Sequence, residues 1–210
     1  MVSISLLIVS FSCFAAQNPA NDPYWEVASK RAEKIVSSLA LSDTGKVERI
    51  KILVASHYKG LHDIHAERDE KFKEAGILAT ARSNPGAKPI VEQFQPRILK
   101  LHNDLVTGLK INLDPAQVDK IKDGMTYGVV QATYKVYLEY LPQLTEDQKA
   151  KIMQWLIEAR ELALDEGSSE DKHAMFKVYK GKINNYLAQQ GYDLRKAEKE
   201  LQEKRRKEKK

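Results

Sequence analysis

Apolar residues recur at three- and four-residue spacing along almost the whole chain, and only ten glycines and seven prolines interrupt its 210 residues. That spacing is the signature of amphipathic helices, and no convincing period-two alternation competes with it. The fold class is therefore read as all-α. A single bundle of about six to seven helices is expected, since this length suits one domain or one domain plus a tail.

The helices can be placed by their apolar stripes and start signals. Trp25, Ala28, Ala32, Ile35, Val36 and Leu39 define a first helix, and Ile50, Leu53, Val54, Leu61, Ile64 and Phe72 a long second one. The stretch GILATARSNPGAKP (76–89) clusters two glycines and two prolines and reads as a mobile loop, either a lid or a linker. A third helix covers about 90–110, with Phe94, Ile98, Leu101 and Leu105 on one stripe; Pro96 either kinks it or marks its start. LSDTGKVERI (41–50), LDPAQVDKI (113–121) and LTEDQKAKI (144–152) each open a helix with a capping residue. Gln117 and Gln148 follow Asp114 and Thr145 by three positions, as a capping box requires, and Ser168 with Asp171 repeats the pattern. GMTYGVVQATYKVYLEYLP (124–142) reads as a bent helix or as a turn followed by a helix.

Both ends differ from this core. Met1–Ala16, MVSISLLIVSFSCFAA, is an apolar run ending in small residues and too short to span a bilayer, so residues 1–16 are read as a signal peptide. No Lys or Arg precedes the run, which leaves an upstream start open. Cys13 is the only cysteine, and SFSC lacks the aliphatic residue expected three positions before a lipidated cysteine. Soluble export, periplasmic or secreted, is the preferred address. Without further cysteine the rest of the chain has no disulfide and no thiolate metal site. Residues 195–210 hold nine Lys/Arg and four Glu, whereas the other 194 residues balance 25 basic against 25 acidic side chains. The basicity belongs to the tail, and no nucleic-acid partner is expected. The helical domain is read as residues 24–194.

Two stretches carry candidate chemistry. On a wheel of about 100° per residue, HYKGLHDIHAERDEK (57–71) places His57 and Arg68 near the middle of the apolar stripe, where a polar group needs a partner. His62, His65 and Asp69 fall together on one flank, and Asp63, Glu67 and Glu70 face water. Three readings stay open: a two-histidine, one-carboxylate metal face; an interhelical network in which Arg68 meets an acid from another helix; and a cleft in which His57, His65 and Arg68 meet a ligand, Arg68 binding carboxylates through its planar fork. In KHAMFKVYKGKINNYLAQQGYD (172–193), Tyr179 and Tyr186 lie on an aromatic stripe with His173, Lys180 and Asn184 within or beside it. Aromatic faces with amide and basic donors suit sugars, although tyrosines packed with their hydroxyls at the rim explain the pattern more simply. Tyr127, in the tyrosine-rich stretch, joins the ligand-binding candidates. No phosphate loop, nucleophile elbow, zinc-protease helix or EF-hand loop is present, and no cofactor is expected.

DIHAERDEK (63–71), KDGMTYGVV (122–130) and WLIEARELALDEGSSEDKHAMFKVYKGKINNYLAQQGYDL (155–194), together with the capped helix starts and the exported N-terminus, resemble an uncharacterised all-helical family. Its members are exported proteins of polysaccharide-degrading bacteria, of about this length, and carry a sugar-binding label. The resemblance covers residues 24–195, and the charged extension beyond looks like an addition to the family core. It implies export, an all-helical fold and a carbohydrate setting, and it supplies no catalytic residues. The expected role is binding of a carbohydrate, an acidic sugar in particular, or of another small molecule. His57, Arg68 and His173 would line a shared cleft with the aromatic face of the last helix. The alternatives are a lyase or hydrolase acting on polysaccharide fragments with a histidine base, and a structural or partner-binding module.

Overall fold

The computed structural model describes residues 22–78 and 85–208, so the signal-peptide reading, Cys13 and the centre of the 76–89 loop lie outside the described residues. Eight α-helices and no strand occur among them: α1 (Pro23–Ser37), α2 (Thr44–Glu74), α3 (Lys88–Asn112), α4 (Pro115–Met125), α5 (Val129–Tyr140), α6 (Glu146–Leu164), α7 (Ser169–Gln189) and α8 (Leu194–Glu208). The protein is an all-α single-domain bundle.

The helix starts are local chemistry. Asp22 accepts from the backbone of Tyr24 and Trp25 with Pro23 at the first position of α1, and Asp43 accepts from Lys46 to open α2. Both capping boxes form, Asp114 with Gln117 and Thr145 with Gln148, and Ser168 caps α7 by accepting from Asp171. Pro96 lies inside α3, which begins at Lys88 after a 3₁₀ turn, Pro85–Ala87. The tyrosine-rich stretch resolves into a turn and a helix. Thr126 accepts from Val129 across Tyr127 and Gly128, whose φ angles are 61° and 66°. Two consecutive left-handed residues make this a type I′ turn, which favours Asn or Gly at both central positions.

The helices bury two main cores. Ala28, Ala32, Val36, Ile50, Val54 and Leu105 belong to one built from α1, α2, α3 and α4. Tyr137, Ile152, Leu156, Phe176, Ile183 and Leu187 belong to one built from α5, α6 and α7. Antiparallel α2 and α3 approach closely because each offers a glycine to the other's leucine: a side chain on Gly60 would meet Leu101, and one on Gly108 would meet Leu53. α6 packs against α4, α5 and α7, and Leu164 at its end sits in the first core. That C-terminus is where the two halves meet. No helix among the described residues is long and apolar enough to cross a membrane.

Candidate functional site

The last carbonyls of an α-helix lack intrahelical donors and carry the negative end of its dipole. At the end of α6 they are met by buried cationic and imidazole groups. Lys172 donates to the carbonyls of Ala163 (2.8 Å) and Leu164 (3.2 Å), His57 Nε2 lies 3.2 Å from the Leu164 oxygen, and His65 Nε2 lies 2.9 Å from the Asp165 oxygen. A carbonyl only accepts, so both imidazoles carry their proton on Nε2. Burial holds the His57 imidazole down at about 4 and the Lys172 ammonium down to about 8. On the α3 side His102 Nδ1 donates to Asp165 Oδ1 at 3.0 Å, and this hydrogen bond raises its pKa. Lys122 meets Glu161 at 2.6 Å, and Arg160 reaches Asp119 (2.6 Å), Asp123 (2.8 Å) and Glu161 (3.2 Å). These contacts tie α2, α3, α4 and α7 to α6.

The histidine-rich stretch of α2 therefore divides in a way the wheel did not resolve. His57, His65 and Arg68 are all buried, so they do not line an open cleft with His173. Arg68 pairs with no acid from another helix among the described residues: it donates to Asp69, its neighbour, at 3.0 Å and lies 5.6 Å over the Phe72 ring. The proposed metal face is dispersed as well. His62 stacks on Tyr24 at 3.7 Å, His65 faces the Asp165 carbonyl and Asp69 faces Arg68, and no metal-holding group of His, Cys, Asp and Glu occurs among the described residues.

A solvent-facing cluster forms where α1, α2, the α4–α5 turn and the start of α7 come together. Tyr127 is 55% exposed, and its ring stands edge-on to His173 with centroids 5.3 Å apart. A tyrosine at φ 61° carries strain of about 1–2 kcal/mol, which an Asn or Gly would avoid. Tyr58 lies below; burial raises its phenol pKa, and the nearby Tyr127 phenol adds to that rise. Arg31 lies 5.7 Å from the Tyr58 ring centroid and 6.0 Å from that of Tyr24, and donates to the Tyr24 hydroxyl at 3.3 Å. Arg31 is exposed and forms no ion pair among the described residues. Its charge also reaches Lys172 and lowers its pKa, whereas Asp165 and Glu166 raise it. Aromatic faces beside an uncommitted guanidinium can stack on apolar rings and bind a carboxylate.

Of the remaining sequence candidates, Tyr179 lies beneath Lys182, which also covers Trp155. Asn184 Oδ1 accepts from the Tyr137 hydroxyl at 2.7 Å, and Lys180 is exposed. Tyr24, Arg31, Tyr58, His102 and Lys172 were not among the candidates. Three were within reach of the spacing: Tyr24 and Arg31 stand seven apart, on one helical face, and His102 sits four after Ile98 on the α3 stripe.

A family model described as "Protein of unknown function (DUF3826)" matches residues 25–207. The chain belongs to the DUF3826 family. The match includes α8 as far as residue 207, so the charged helix is not an addition outside the family core. No curated protein matches the chain.

Proposed function

We propose that this DUF3826 protein is an exported carbohydrate-binding protein that takes an acidic sugar on the cluster of Tyr24, Arg31, Tyr58, Tyr127 and His173. The observation that carries the reading is Tyr127, whose exposed ring is held at positive φ near Tyr58, the ring over which Arg31 lies without an acid partner among the described residues. Strain of this kind is retained where the side chain is needed, and Tyr127 contributes little burial to the fold. The sugar's apolar face would lie on the Tyr127 ring while its carboxylate meets Arg31. The test is calorimetric titration of the purified protein with a galacturonate trimer, comparing wild type with Arg31→Ala and Tyr127→Asn. Loss of a charge-assisted hydrogen bond worth about 1.5–3 kcal/mol lowers affinity roughly 10- to 150-fold. Both variants should melt no lower than wild type, because neither side chain is buried. Unchanged affinity in both refutes the assignment.

One observation supports an enzymatic reading instead. His102 is half-buried, and Asp165 fixes its Nδ1–H, the arrangement that orients a general base for a lyase or hydrolase step. That reading predicts turnover of uronate oligomers that disappears in His102→Ala and survives Arg31→Ala in part; no turnover in the wild type eliminates it.

A further inference from the structure

The stretch from Lys172 to Tyr192 holds four lysines and a histidine but no carboxylate, although 29 of the chain's 210 residues are acidic and so long a run would hold about three at that share. Two of the lysines are committed: Lys172 to the α6 carbonyls, and Lys182 to Glu158 at 3.6 Å and to the Trp155 and Tyr179 rings. Lys177 and Lys180 are exposed and form no ion pair among the described residues. At about 100° per residue, His173, Lys177, Lys180 and Asn184 share one flank of α7 within about 60°. That flank borders the α4–α5 turn at one end, through Tyr127 against His173, and α5 at the other, through Tyr137, whose hydroxyl donates to Asn184. Beyond Asn184 it opens into a shallow groove of about 690 Å³ that includes Asn185, Tyr192 and Arg195. Asp193, also in the groove, spends its carboxylate on capping α8 at the Lys196 amide.

We propose that this flank is a binding track for a linear carboxylated oligosaccharide, running from the Tyr127 cluster along α7 to the α7–α8 groove. The proposal rests on the acidic-sugar reading above and extends it from a single sugar to a chain. From His173 to Asn184 the track is about 17 Å long, and it offers a polar or basic group about once per helical turn of 5.4 Å. That repeat suits a polymer with one carboxylate on each sugar ring. The amides of Asn184 and Asn185 and the Tyr192 ring add hydroxyl and ring partners that a bare charge patch lacks, and they favour a polysaccharide over a nucleic acid.

The test is titration of the full protein with galacturonate oligomers of one, three and six residues, repeated with the double variants Lys177→Glu/Lys180→Glu and Lys177→Gln/Lys180→Gln. The hexamer should bind wild type at least tenfold more tightly than the trimer. Both double variants should erase that gain, the glutamate pair more completely, and leave trimer affinity and melting temperature unchanged. A trimer that binds at the Arg31 cluster with no gain for the hexamer overturns the track and leaves the sugar reading standing. Failure of every oligomer to bind removes both. A single-stranded DNA oligomer that binds as tightly as the hexamer, with the same loss in the double variants, also overturns the proposal by reducing the track to non-specific charge.

Discussion

Acid should destabilise this protein through His57, and the size of the effect follows from its burial. The imidazole is 2% exposed, held against the Leu164 carbonyl and deep beneath the end of α6. Its pKa falls from the ordinary 6.5 to about 4, desolvation being the largest cause. Between those values the unfolded chain binds a proton that the folded chain does not, so stability is present above 6.5 and is lost as pH falls toward 4. At about 1.4 kcal/mol per pH unit, His57 alone removes about 2 kcal/mol between pH 7 and pH 4.5, a large share of a typical domain's 5–15 kcal/mol. His57→Gln keeps an N–H donor for the carbonyl and cannot titrate. His102 works in the opposite sense, because its hydrogen bond to Asp165 raises its pKa, so its stabilisation is present at low pH and lost as pH rises through the folded value. It is present in both proteins and cancels in their difference. Urea unfolding followed by circular dichroism at pH 7, 6, 5 and 4.5 should show wild type losing about 2 kcal/mol more than His57→Gln over this range. Parallel losses would refute the argument that His57 is buried neutral.

Two further outcomes concern stability alone. Arg160→Met leaves Asp123 and Glu161 beside an apolar side chain in place of their guanidinium, and should cost about 3 kcal/mol, or a melting point lower by roughly 10 °C; a calorimetric scan that shows no drop would mean that the network is not structural. Ala40 stands at φ 50°, where a Cβ is unfavourable, so Ala40→Gly should stabilise by about 1 kcal/mol and raise the melting point by about 2–4 °C.

How much of this was legible in the sequence depends on whether a residue's role is local. The helix starts were, because a cap involves residues three apart: Asp114 with Gln117, Thr145 with Gln148 and Ser168 with Asp171 all behave as their spacing implies. The wheel also identified His57 and Arg68 as buried and kept Asp63, Glu67 and Glu70 in water. Partners could not be read in the same way. His57 and His65 meet backbone carbonyls about a hundred positions away, and no side-chain pattern announces a carbonyl that will end a helix at that point. The grouping of Arg31 with Tyr127, itself a sequence candidate, was hidden for another reason. One is an unremarkable arginine in a charged helix and the other follows a threonine in a turn, and only the tertiary approach of α1, α2 and α7 puts them on one surface.

The buried network and the exposed cluster are linked by one peptide bond. Lys172 faces inward to the α6 carbonyls, and His173, the next residue, faces outward to Tyr127. Neighbours on a helix point about 100° apart, so fixing Lys172 also fixes the direction of His173. The ammonium loses hydration in that position, as its pKa near 8 indicates, and it recovers interaction energy from two carbonyls and the α6 dipole. A methionine there would fill the same space but remove the buried ammonium from both carbonyls, leaving Ala163 with only the long hydrogen bonds of the cap backbone amides and Leu164 with His57. The start of α7 would then lose its anchor, and His173 its fixed place beside Tyr127. The charge that joins the two halves of the bundle thus also sets the geometry of the surface proposed to bind sugar.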